Sequence, residues 1–274
     1  MGNPDKIRRP VAAGQFYPSS AQGLKNQIEA FIDKQAARAD VIACILPHAG
    51  YVYSGSVAGQ TLSRINIKDK IILLGPNHTG YGVKYSIMPQ GTWQTPLGEI
   101  KVDSHLAGKI LKRSKYLQAD IQAHAYEHSL EVELPLLQYF KSDFEIVPIT
   151  LLSDDCKILK ELGKDIADTV KDENINNSTM IIASSDMTHY EPQAEAEKKD
   201  KAAIEAILEL NADNLMQRVR QLSISMCGYA PVITMISAAK ILGAKTAKLI
   251  KYQTSGDVTG DKSSVVGYAG IIIY

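Results

Sequence analysis

The chain is poor in the residues that mark several familiar classes of protein. It has three cysteines in 274 residues, Cys44, Cys156 and Cys227, widely spaced and without a C-x-x-C pair. That spacing excludes a disulfide framework and a zinc-finger pattern. Net charge is absent, with Lys+Arg and Asp+Glu each at 30, so nothing in the balance points to nucleic acid. No run of about 18 apolar residues occurs, so no transmembrane helix is expected. The opening Met1-Gly2-Asn3-Pro4-Asp5-Lys6 lacks the apolar stretch of a secretory leader. A cytoplasmic location is expected, with neither nucleic acid nor membrane as partner. The sequence also lacks G-x-x-x-x-G-K-[ST], a strand-linked G-x-G-x-x-G, G-x-S-x-G and H-E-x-x-H, which sets aside the common nucleotide-binding, hydrolase and zincin motifs.

What is present is a repeated local pattern. Ala43-Cys44-Ile45-Leu46-Pro47-His48-Ala49-Gly50-Tyr51 and Ile72-Leu73-Leu74-Gly75-Pro76-Asn77-His78-Thr79-Gly80 each run from an apolar stretch through Pro to His and Gly. A short apolar run bounded by turn residues reads as a buried strand. Each His then lies just past the C-terminal end of a strand, where open α/β sheets bind ligands. Two imidazoles so placed can converge, and a metal site is the first expectation.

The rest of the chain alternates strands and helices. Strands are expected at Val41–Leu46, Lys70–Leu74, Phe144–Leu151, Thr179–Ala183, Ala247–Gln253 and Val265–Ile273. Helices are expected from Ser19-Ser20 to about 35, over Ser54–Ile65, 104–114, Ser129–Phe140 (with a kink or late start at Pro135), 155–171, 192–209, 211–221 and Tyr229–Leu242. Residues 8–18 read as an extended arm, and 84–102 as a hairpin inserted beside the main sheet. The pattern predicts one α/β domain over residues 1–274, a three-layer α/β/α sandwich around a mixed sheet.

Further residues carry chemistry. His189 follows a third apolar strand, in Ser184-Ser185-Asp186-Met187-Thr188-His189-Tyr190. Imidazole serves both as metal ligand and as acid/base near neutral pH. His124 and His128 sit at an expected helix start, and His105 at an exposed one. Cys227 precedes an apolar helix, a position that lowers a thiol's pKa; a small buried hydrophobe is the plainer reading. Cys44 and Cys156 read as structural. Glu127, Glu131 and Glu133 read as a solvated helix face. Ser255-Gly256-Asp257-Val258-Thr259-Gly260-Asp261 reads as a turn, since it lacks the spacing of an EF-hand.

Leu46-Pro47-His48-Ala49-Gly50-Tyr51, Gly75-Pro76-Asn77-His78, Glu127-His128-Ser129-Leu130-Glu131, Ser184-Ser185-Asp186-Met187-Thr188-His189-Tyr190 and Cys227-Gly228 resemble, in this order, the Memo family. Its bacterial and archaeal members are called AmmeMemoRadiSam system protein B. Arg9–Pro18 and Ser263–Ala269 extend the likeness to nearly the whole chain. The resemblance implies a fold similar to the class III extradiol dioxygenases, non-haem iron enzymes. It implies His48, His78 and Cys227 as metal ligands, His189 as acid/base, Asp186 as a site carboxylate and His128 as a pocket residue. The dioxygenases use a carboxylate where this chain has Cys227. A two-His, one-thiolate set suits iron, copper or zinc, with Fe(II) the leading expectation. The implied activity is redox or oxygenase-like, on an unknown small-molecule or peptide substrate, in association with radical-SAM system proteins. Two alternatives stand beside it. One is a peptide- or phosphopeptide-binding module using the same pocket. The other is a true ring-cleaving dioxygenase with Asp186 or Glu127 at the metal.

Overall fold

The computed structural model describes residues 7–274. In chain order the elements are β1 (Ile7–Arg8), α1 (Ala21–Glu29), β2 (Ala43–Leu46), α2 (Tyr51–Leu62), β3 (Lys70–Pro76), β4 (Tyr85–Ile87), β5 (Thr92–Thr95) and β6 (Gly98–Lys101). Then come α3 (Ser104–Arg113), β7 (Gln118–Ala119), α4 (Gln122–Ala125), α5 (Glu133–Phe140), β8 (Glu145–Leu151), α6 (Cys156–Asp172) and β9 (Thr179–Ser184). The chain closes with β10 (His189–Glu191), α7 (Gln193–Leu208), α8 (Ala212–Gln221), α9 (Tyr229–Ile241), β11 (Ala247–Thr254), α10 (Gly256–Thr259) and β12 (Val265–Ile273).

A nine-stranded mixed sheet runs β10-β12-β2-β9-β3-β8-β4-β7, with β11 also paired to β12. Its centre is parallel: β9 lies between β2 and β3, and β8 follows β3. β2 and β9 are buried at every residue, as strands covered on both faces must be. Helices α1, α2 and α5 pack together on one side, and α3, α6, α7, α8 and α9 on the other. This is the expected α/β/α sandwich. No helix among the described residues is long and apolar enough to cross a membrane.

Local differences from expectation have physical causes. α1 starts as expected, Ser20 Oγ accepting from Gly23 N–H at 3.2 Å, but ends at Glu29. Beyond it Phe31 turns onto α2, where a Cβ at Gly55 would lie 2.3 Å from its ring and one at Gly59 2.8 Å from its Cβ. Two glycines one turn apart thus make the groove that receives Phe31. α5 begins late, at Glu133, which puts Pro135 in the first turn, where its missing N–H has no intrahelical partner to lose. The 84–102 segment divides. β4 joins the main sheet antiparallel to β8, while β5 and β6 form a hairpin in a separate small sheet with β1.

Because β2, β9 and β3 are parallel neighbours, their C-terminal ends lie side by side. The turns that follow them carry His48, Asp186 and His78, and His189 opens β10 just past Asp186.

Candidate metal centre

His48 leaves β2 almost wholly buried, at 2% exposure. Its Nδ1 lies 2.8 Å from Ser184 Oγ at the end of β9. Its backbone N–H donates to Asp186 Oδ1 at 2.8 Å, so the two strand ends are tied together. Its Nε2 lies 3.3 Å from Cys227 Sγ. His78 leaves β3 with its Nδ1 2.8 Å from Glu127 Oε1 and its backbone N–H donating to Glu127 Oε2. Glu127 is buried completely. Burial opposes its ionisation, but the bond and charge of His78 and the Ser129 amide outweigh it and hold the carboxyl down at about 2. An ionised carboxylate on Nδ1 fixes that nitrogen as the donor and leaves Nε2 for a ligand.

His48, His78 and Cys227 each offer one ligand atom, and these atoms lie within 4.8 Å of one another. Bond lengths of about 2.1 Å to nitrogen and 2.3 Å to sulfur put tetrahedral ligand atoms about 3.4–3.6 Å apart. The 3.3 Å between Sγ and His48 Nε2 is close to that separation. The donor set therefore fits a metal ion. A second group, His78, Glu127 and His128, is equally compact. It shares His78, and its carboxylate is already bonded to that ring. The two groups therefore read as one centre and the partner of one of its ligands.

Cys227 differs from expectation in its ionisation. Burial and then the neighbouring Asp186 push its thiol up rather than down. α9 starts at Tyr229 with Gly228 as its cap, so Cys227 lies just before the helix, and burial with the Asp186 charge decides the direction of its shift. A thiol in this state loses its proton to a cation rather than to water.

His189 has its Nδ1 2.7 Å from Met187 O and 3.0 Å from Ser225 O. Both partners are carbonyls, which only accept, so Nδ1 carries the proton and Nε2 carries a lone pair. Asp186 is 4% exposed. Burial lifts its carboxyl to about 6, against the pull of His189 and the His48 and Ala49 amides. His128 stacks on His78 at 4.8 Å and meets Phe16 at 4.5 Å. These groups line a cavity of about 550 Å³ whose remaining wall is largely aromatic and apolar: Phe16, Tyr53, Tyr190, Val266 and Tyr268.

The β9 turn and the segment before α9 are laced together. Asp186 N–H donates to Cys227 Sγ at 3.2 Å, Gly228 N–H to Ser185 Oγ at 3.0 Å, and His189 N–H to Ser225 Oγ at 2.8 Å.

The six residues that the family resemblance implied, His48, His78, Cys227, Asp186, His189 and His128, all line this cavity. His124 does not. It is buried elsewhere, with Nε2 3.0 Å from Ser86 Oγ and its ring edge-on to Trp93. His105 lies exposed beside Glu173. The sequence reading missed Glu127 as the partner of His78, and gave no role to Phe16, Ser184 or Ser225. It also misread the glutamates: Glu127, Glu131 and Glu133 are all fully buried. The signal was there in Leu130-Glu131-Val132-Glu133-Leu134, where acids alternate with aliphatic residues instead of sharing one helix face.

Comparison with known proteins identifies the family and the fold. The Memo-like protein family matches residues 8–272. A MEMO1 family protein of Methanococcoides burtonii is 44% identical over 269 residues, covering 97% of this chain and 100% of the relative. One from Aquifex aeolicus is 41% identical over 271 residues, covering 97% and 99%. Among solved structures, an uncharacterized Escherichia coli protein superposes with a TM-score of 0.55 at 14% identity, over 85% of this chain and 99% of that one. At that identity the likeness is one of fold.

Proposed function

The chain belongs to the Memo-like family, and from that premise we propose that it binds a metal ion and carries out redox or oxygenase-like chemistry on an organic substrate. The observation that carries the reading is the convergence of His48, His78 and Cys227 on one point, with the Nδ1 atom of each imidazole engaged on the far side. Fe(II) is the leading ion, with copper or zinc next, because two imidazoles and a thiolate suit all three. A bound redox-active ion would supply electron transfer and open coordination faces. The protein's own part is acid–base chemistry and enclosure. His189 Nε2 is the proton acceptor, held by its bonds to Met187 O and Ser225 O. Asp186, with a carboxyl near 6, exchanges protons close to neutrality. His128 touches the substrate, and Phe16, Tyr53 and Tyr190 form the wall it passes. A role beside a radical-SAM enzyme is part of the proposal.

Two rival readings fit less well. A phosphopeptide module would call for Arg or Lys, and no Lys or Arg lines the cavity among the described residues. A ring-cleaving dioxygenase calls for a carboxylate as third ligand; both oxygens of Glu127 are already taken by His78, and Asp186, whose Oδ1 accepts from the His48 and Ala49 amides, belongs to neither compact donor group among the described residues. The test is metal analysis of protein purified without oxygen, wild type beside Cys227→Ser and His48→Ala. Metal is expected in the wild type and lost from both variants. Equal metal in all three overturns the proposal. Turnover of an added catechol to a ring-opened product would favour the dioxygenase reading instead.

A further inference from the structure

Behind His48, on the side away from the cavity, lies a polar chain that the proposed chemistry does not use. Ser184 Oγ has three neighbours: His48 Nδ1 at 2.8 Å, Glu133 Oε1 at 2.7 Å and Ser129 O at 2.9 Å. Glu133, the first residue of α5, is fully buried, and its Oε2 has no partner. No cationic side chain pairs with it among the described residues.

A hydroxyl has one proton to give and two lone pairs to receive with. Ser129 O only accepts. If Glu133 were an anion, Ser184 would have to serve both it and Ser129 O with a single proton. One of the three contacts would then carry no hydrogen, and the carboxylate would be buried with at most one bond, at a high cost in free energy. If Glu133 is the neutral acid, every contact is filled. Glu133 O–H donates to Ser184 Oγ, Ser184 O–H donates to Ser129 O, and His48 Nδ1–H donates to the second lone pair of Ser184. The surroundings agree: burial, with the Asp186 charge adding, drives the Glu133 carboxyl well above its ordinary range.

We propose that Glu133 is a positioning residue for the metal centre: by donating to Ser184 it holds His48 in the tautomer whose Nδ1 is protonated and whose Nε2 is free to bind a cation. This rests on the metal-binding reading for its consequence, but not for its geometry. The two imidazoles of the centre are then backed by unlike partners. His78 has an ionised carboxylate directly on Nδ1. His48 has a neutral acid one hydroxyl away.

The experiment uses the full chain with Glu133→Gln, Glu133→Leu and Ser184→Ala beside wild type. Nitrogen-15 NMR of the metal-free proteins reads the His48 tautomer, and zinc titration reads affinity. Wild type and Glu133→Gln, whose carboxamide still donates, are expected to show Nδ1 protonated and Nε2 bare, with zinc affinities within about threefold. Glu133→Leu and Ser184→Ala are expected to show mixed tautomers and to bind zinc about 10–100-fold more weakly, the usual effect of losing a ligand's hydrogen-bond partner. The NMR readout decides the inference even if wild type takes up no zinc, a result that would count against the metal reading alone. The same His48 tautomer in all four proteins overturns the inference. So does undiminished zinc affinity in both Glu133→Leu and Ser184→Ala.

Discussion

Removing Glu131 tests whether buried acids hold this fold together. Its carboxylate is fully buried and takes four donors from one stretch: the Arg8 guanidinium, Val11 N–H at 2.9 Å, Ala12 N–H at 2.8 Å and the Tyr17 hydroxyl. Arg8 is held further by His124 O at 2.8 Å and Glu127 O at 2.6 Å, and lies over the Trp93 ring at 4.1 Å. In Glu131→Ala that guanidinium stays buried without its counter-charge, which costs about 3–5 kcal/mol. The arm's two amides and the hydroxyl lose their acceptor as well, at about 1 kcal/mol each once water relieves part of the loss. Because these terms overlap, the expected total is about 4–6 kcal/mol, a large share of the 5–15 kcal/mol typical of a folded domain. Denaturant unfolding at pH 7.5 measures it. The double variant Arg8→Met/Glu131→Leu separates the terms. An ion pair replaced by apolar groups is often neutral or better, but here the arm's amides and Tyr17 stay unpaired. The double variant is therefore expected to remain more than about 2 kcal/mol below wild type. A loss under about 1 kcal/mol in Glu131→Ala, or full recovery in the double variant, refutes the reasoning. Phe16 rides on this arm and meets His128, so protease nicking near residue 16 is expected to rise with the loss of stability.

Three further outcomes are expected. Burial, with Arg8 adding, holds His124 down at about 3 against an ordinary 6.5. The unfolded chain takes up that proton below 6.5 and the folded chain only near 3. Its contribution is therefore complete above pH 6.5 and is lost as the pH falls through that window. His124→Phe is expected to flatten the stability slope between about pH 6 and 4, and an unchanged slope across a pH series of denaturations would contradict this. Zinc titration of wild type by calorimetry, in two buffers of different ionisation heat near pH 7, is expected to release about one proton per zinc from the neutral Cys227 thiol; no release would show that the thiol is already ionised. Gly267→Ala places a Cβ 1.9 Å from Asp200 Oδ2, which accepts from Tyr252, while Oδ1 of the same carboxylate accepts from Thr188 N–H. A loss of about 1–3 kcal/mol is expected, and an unchanged melting temperature would show that Asp200 moves aside freely.

The site was legible where it depends on local pattern. An apolar run, a turn and a His mark a strand end, and three such ends gave His48, His78 and His189 with Asp186. The order β2-β9-β3 was not legible, because pairing between residues more than a hundred positions apart leaves no trace in periodicity. The same applies to hydrogen-bond partners. Ser184 and Glu127 look like ordinary turn residues until β9 and the 127–129 turn arrive beside the histidines. Charge alone suggested exposure for Glu131 and Glu133. Their partners, Arg8 and Ser184, lie 123 and 51 positions away, so the reason for burying them could not be read nearby. Cys227 failed because the expected helix start is a local signal, while the burial and the Asp186 charge that push its thiol up come from a turn 41 positions away.

The strand order also sets how the proposed centre would relate to an ion. His48 and His78 follow strands two steps apart, with β9 between them, a span of about 10 Å between those strands fixed by sheet hydrogen bonding. That ruler is built from the most deeply buried strands and exists before any ion arrives. Chelation is thus a matter of emptying a finished receptacle, unlike a zinc finger, whose shape depends on its metal. Stripped protein is expected to keep its circular dichroism and lose only the heat resistance that mass action lends a bound ligand. If the proposed centre binds metal, a scaffold finished beforehand imposes its spacing on the ion, so the ion would adapt to the protein and not the protein to the ion.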